Sequence, residues 1–268
     1  VPQSQTHEPG PDDFRALARS SPWLFATLHW RHGRVEAWLD RPSGRVTVRD
    51  ADGRVEVAEG APYSTSRLSL PLEDGEAAPD EAHPADPVVL AGGRLGTHCS
   101  AADDGVVRRA DGLVLARPRD WHYEHGDPMW GNYLWTAMLD PVELADGVEP
   151  DADLPPQDVP GVLVSEVQDV THRGRRTWQA ICRPVVDAYD PRCGCCPLLD
   201  SVASRLQEYG PDDPNLVTDG LPTAYLVSLD LRTGIVVDVS PLDGTTGSSL
   251  TNEIYAVDEA LSPPPAGP

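Results

Sequence analysis

Lysine is missing from this 268-residue chain: all 21 basic residues are arginine, set against 43 acids for a formal charge of −22. Such a balance repels phosphate, which excludes duplex nucleic acid as an expected partner and disfavours anionic membrane surfaces. No apolar run approaches the roughly 18 residues needed to span a bilayer, so no transmembrane segment is expected. G-x-G-x-x-G, P-loop, G-x-S-x-G and kinase motifs are all absent, leaving no cofactor and no catalytic residue to expect from them. No repeat of fixed period occurs, which excludes solenoids and propellers. The five cysteines are an odd number in a long chain, unlike a secreted disulfide framework. The opening VPQSQTHEPGPDD lacks the basic start and apolar core of a secretory signal. A cytoplasmic protein is therefore expected, with export followed by removal of a signal as the alternative.

What is present begins with DDFRALARS, residues 12 to 20. Phe14, Leu17 and Ala18 share a helical face, and Asp12 and Asp13 sit where the positive helix end favours anions. A short helix ending before Pro22 is expected. Next come WLFATLHWR, HG, RVEAWLDRP, SG, RVTVRDA, DG and RVEVAEG. Turns ending in glycine supply the positive backbone dihedral of tight hairpins, so this is a four-stranded antiparallel meander. Alternation puts Val35, Ala37, Leu39, Val46, Val48, Val55 and Val57 on one face. Arg34, Glu36, Arg45, Thr47, Arg49, Arg54 and Glu56 take the other.

Further hairpins are expected in GVVRR/LVLARP, VLVSEVQDV/RRTWQAICRPV and AYLVSLDL/IVVDVSPLD, with a last strand in LTNEIYAVDEAL. Two helices separate them. One carries Trp130, Leu134, Ala137 and Met138 at helical spacing between the start signal Asp127–Pro128 and the stop Pro141. Being apolar nearly all round, it should be buried. The other carries Leu198, Leu199, Val202, Ala203 and Leu206 on one stripe, with Pro197 in its first turn.

The helix feeding a meander at 12 to 58, the segment WTAMLDPVELADG, the pairing of VSEVQDVTHRGRRTWQA with a following proline, and the late hairpin SLDLRTGIVVDVSPLDG together resemble the LolA/RseB-like superfamily of lipoprotein carriers. The resemblance spans nearly the whole chain and lies in architecture more than in any residue. It implies an α+β fold: a strongly curved antiparallel sheet, an open half-barrel of about ten strands, with helices on its concave face. The expected organisation is one such domain over 12–260, with acidic loops at about 71–87 and 146–160 and disordered ends at 1–11 and 261–268. It also implies non-catalytic binding, of an apolar small molecule or acyl chain in the cup or of a protein partner on the surface. The candidate lining is Leu28, Trp30, Val35, Leu39, Val46, Trp130, Leu134 and Met138.

The alternative is a thiol- or zinc-dependent protein acting through Cys193-Gly194-Cys195-Cys196. Cys196 precedes the expected helix, where the dipole would favour its thiolate, and Arg192 adds positive charge. Structural zinc takes four donors, and His98 and Cys99 are the natural suppliers beyond Cys193, Cys195 and Cys196, with Cys182 as a spare. A redox pair, a metal site and a tight turn of small residues all remain open. In WHYEHGD, His122, Glu124, His125 and Asp127 could hold a cation, although a surface loop accounts for them as well. Six arginines between 31 and 54 form either a docking face for an acidic partner or a solvated one.

Overall fold

A computed structural model describes residues 8–60, 105–117, 127–148 and 160–266. Helix α1 (Pro11–Leu24) leads into strands β1 (Thr27–His32), β2 (Val35–Asp40), β3 (Arg45–Arg49) and β4 (Val55–Glu59). A short hairpin, β5 (Val107–Arg108) and β6 (Val114–Ala116), precedes α2 (Tyr133–Leu139) and a 3-10 turn at Val142–Leu144. Strands β7 (Val162–His172) and β8 (Arg175–Pro184), helix α3 (Val202–Tyr209), and strands β9 (Tyr225–Asp230), β10 (Val236–Pro241) and β11 (Leu250–Val257) complete the order.

Nine strands form one antiparallel sheet in the order β4-β3-β2-β1-β11-β10-β9-β8-β7, so the fold is α+β with a large open sheet. The hairpin β5–β6 makes its own two-stranded ladder. Last strand pairs with first: β11 lies beside β1 and joins the N-terminal meander to the C-terminal hairpins. One buried cluster unites them, running from Phe14 and Leu17 of α1 through Trp30, Leu39 and Met138 to Tyr225, Val227 and Val257. None of the described helices is long and apolar enough to cross a membrane.

Several elements depart from the sequence expectation. Helix α1 does not stop before Pro22 but contains it. Proline removes one helical N–H, yet the carbonyls near this end find other donors. Arg117 Nε donates to the Arg19 carbonyl at 3.0 Å and Arg41 Nη1 to that of Ser21 at 2.6 Å. Two guanidinium charges thus sit where the helix dipole is negative.

The faces of β4 are reversed. Arg49 pairs with Val55 and Val46 with Ala58, so Val55 and Val57 share the outer face with Arg49 and Thr47. Glu56 points inward and accepts the indole N–H of Trp130 at 2.9 Å. The cause is the turn: Asp50 Oδ1 accepts from the N–H of both Asp52 and Arg54 at 2.9 Å, closing a loop one residue longer than the expected two. A one-residue slip sends every side chain of a strand to the other face.

Helix α2 starts only at Tyr133, because Asn132 caps it by accepting the N–H of Leu134, which leaves Trp130 outside the helix. Trp135, Ala137, Met138 and Leu139 are buried, as its apolar character requires. Helix α3 starts at Val202 rather than near Pro197. Ser201 and Ser204 bond each other's backbone N–H, so the helix opens at this cap and Leu198 and Leu199 precede it.

Candidate thiol site

The segment 189–199 is a loop held from beneath by two buried acids. Asp140 and Glu143, each 2% exposed, stand at the end of α2 and in the 3-10 turn. Glu143 Oε1 accepts from the Tyr189 hydroxyl at 2.5 Å and the Leu198 N–H at 3.0 Å, while Oε2 accepts the Arg192 N–H at 3.1 Å. Burial pushes the Glu143 carboxyl up, against the pull of those bonds. Burial would push Asp140 up as well, but Arg117, with Arg192 and Arg41 behind it, overrides this and holds its carboxyl below the usual range. Arg117 forks onto both Asp140 oxygens at 2.5 and 3.0 Å, and Arg192 reaches Oδ2 at 3.1 Å.

On this base the CGCC stretch forms a single turn, with the Cys196 N–H donating to the Cys193 carbonyl at 3.3 Å. Gly194 presses against α3: a Cβ there would lie 2.8 Å from the Glu208 nitrogen and 2.9 Å from the Ser204 carbonyl oxygen. Only glycine permits that approach. Gln207 Nε2 adds bonds to Asp190 Oδ1 at 3.1 Å and the Pro191 carbonyl at 3.3 Å.

All three sulfurs come together. Cys193 Sγ lies 2.8 Å from Cys195 Sγ, which lies 3.7 Å from Cys196 Sγ, and the three fall within 4.8 Å of one another. They are free thiols, with Cys195 exposed and the others half-buried. Burial opposes ionisation of Cys193, but hydrogen bonds from Cys195 and Cys196 hold its thiol below the ordinary value. The hydrogen-bond contact with Cys193, followed by burial, pushes the Cys195 thiol up to about 12. Zinc–sulfur bonds of about 2.3 Å put tetrahedral sulfurs about 3.8 Å apart, so the closer pair must open by about 1 Å to hold such an ion.

Two expectations about this loop are corrected. Cys196 does not cap the helix that follows it, which begins at Val202 behind the cap at Ser201. Arg192 turns inward to Asp140 rather than lending its charge to the thiols. His98 and Cys99 lie outside the described residues, as do His122, Glu124 and His125. Cys182 is fully buried in β8, where burial pushes its thiol far up. Asp127 is committed elsewhere, in a fully buried fork with Arg41 at 2.8 and 2.7 Å.

Of the apolar residues singled out, Leu28, Trp30, Leu39, Val46 and Met138 lie in the core at 0–1% exposure. Val35, Trp130 and Leu134 are half-buried against it. Trp135 stands between Trp30 and Trp130, with ring centroids 5.1 and 5.3 Å away. Two of the outer arginines are paired, Arg31 with Glu253 and Arg49 with Glu36, while Arg54 pairs with Glu56 on the reversed side. Arg41 does not belong to that face at all, being buried beside Phe25. A cleft of about 330 Å³ opens at Gly174, Arg175, Arg176, Asp230, Leu231 and Arg232. Its arginines also have acidic partners, in Asp230, Asp169 and Asp258.

Sequence reasoning missed Asp140 and Glu143. The available signal was a pair of acids three apart in the otherwise apolar run MLDPVEL, since buried carboxylates are rare unless hydrogen-bonded. No family model matches the chain, and neither a curated protein nor a solved structure matches it.

Proposed function

We propose that the protein is a non-catalytic metal-binding protein that holds a thiophilic ion of the zinc class through Cys193, Cys195 and Cys196. The observation that carries this reading is the convergence of three sulfurs on a loop whose backbone is already fixed. Glu143 and Tyr189 hold it from below, and the contact of Gly194 with α3 holds it from the side. Preorganised ligands lose little freedom on binding, and soft thiolates favour zinc and cuprous ions over magnesium or calcium.

The test is a Zn²⁺ titration against a chromophoric chelator under reducing conditions. Wild-type protein is expected to bind one equivalent. A variant with Cys193→Ser, Cys195→Ser and Cys196→Ser, shown by circular dichroism to be folded, is expected to bind none. Equal binding by the two proteins would reject the reading.

A second reading keeps the apolar ligand and the curved half-barrel of the LolA/RseB-like resemblance. Favouring it are the indole nitrogens of Trp30 and Trp135, buried without a hydrogen-bond partner. Buried donors left unpaired cost about 1–3 kcal/mol each, and the polar end of a ligand would relieve them. Entry requires α2 to lift, because Trp135 packs on Trp30. Native mass spectrometry of the purified protein should then show a co-purified lipid mass, and a bare mass after mild extraction discards this reading.

A further inference from the structure

The geometry points to a metal site with an open fourth position, to be filled from outside by a neutral nitrogen donor of the imidazole type; this rests on the metal-binding reading above. Cys193, Cys195 and Cys196 supply three donors from one turn, and among the described residues no fourth histidine, cysteine or carboxylate joins them. Sites that retain three protein ligands leave one coordination position for an exchangeable group, whereas structural zinc sites are closed by four. Cys195 is exposed, so the cluster can be reached from solvent.

Charge selects the incoming donor. Three thiolates around a divalent ion sum to −1, and among the described residues neither Arg192 nor Glu208 offsets it. Arg192 is turned away to Asp140, Glu208 lies against Gly194, and the chain carries −22 in all. A fourth thiolate would bring a second negative charge into this field, and a carboxylate would do the same. A neutral imidazole nitrogen brings none and still forms a strong bond to zinc-class ions. Its binding displaces a water molecule from the ion, with no change in oxidation state and no proton to place.

The experiment loads the full chain with Co²⁺, whose visible bands report the donor set, and titrates imidazole and 2-mercaptoethanol separately at one pH. Imidazole is expected to shift the bands with cobalt retained, at a lower half-saturating concentration than the thiol. Bands that ignore imidazole overturn the open position, and tighter thiol binding overturns the charge argument. The variants His98→Ala and Cys99→Ser should leave the cobalt spectrum unchanged before any ligand is added. A changed spectrum would mean that one of them already closes the site. If cobalt is not bound at all, the metal-binding reading fails first, and that result is distinct from all of these.

Discussion

The Tyr189 hydroxyl donates to Glu143 Oε1 at 2.5 Å and accepts the N–H of Leu199 at 3.1 Å, so one side chain links the 3-10 turn to both ends of the cysteine loop. Tyr189→Phe removes both bonds and leaves a buried N–H without a partner. Unfolding in urea should show a loss of about 1–3 kcal/mol. Zinc affinity should fall with it, because the loop is no longer held in place. Unchanged stability would show that the pair does not anchor the loop.

Gly194→Ala forces a Cβ against the α3 backbone. Overpacking of this kind costs about 1–3 kcal/mol, or else the loop shifts outward. In either case chelator competition should report weaker metal binding. A variant with wild-type affinity and stability would contradict the close contact between Gly194 and Ser204 and Glu208.

The fork between Arg41 and Asp127 is fully buried on both sides. Arg41→Met removes the buried guanidinium from Asp127 and should cost about 3–5 kcal/mol in denaturant unfolding. Adding Asp127→Leu should recover part of that loss, since the buried carboxylate is then gone too. If the double variant is no more stable than the single one, the charge pair is not the source of the penalty.

Stability should fall in acid in two stages. Desolvation lowers the pKa of His32, although its bond to Asn252 pulls the other way. Below the unfolded value of about 6.5 the unfolded chain takes up a proton that the folded chain refuses, so this contribution is lost as pH falls through the folded pKa. Asp140 is likewise depressed when folded. Its contribution is fully present above the unfolded value of about 3.9 and disappears as pH falls through the lower folded one. His32→Gln should flatten the first stage alone. Urea midpoints measured across the acid range for both proteins check this, and identical slopes would count against it.

Most strands were legible because alternation and turn residues are local signals. The ladder pairs Arg49 with Val55 only because the turn after Asp50 gains a residue, and that parity cannot be read from the strand itself. Helix starts failed for a similar reason: Ser201 and Asn132 act as caps only once the preceding chain is held extended. The cysteine cluster stood out by spacing alone. Its foundation did not, since Glu143, Tyr189 and Arg192 are tens of residues apart and meet only in the fold.

From the sequence alone followed the antiparallel meander and later hairpins, the buried character of α2 and the nearness of three thiols, all carried by neighbours in the chain. Tertiary structure decided the place of β11 beside β1, the burial of Asp127 with Arg41, and the support of the CGCC turn by Glu143 and α3. The physical reason is separation. Local periodicity records which face of an element is apolar, but a buried charge reveals its role only when a partner from a distant segment arrives to offset its desolvation.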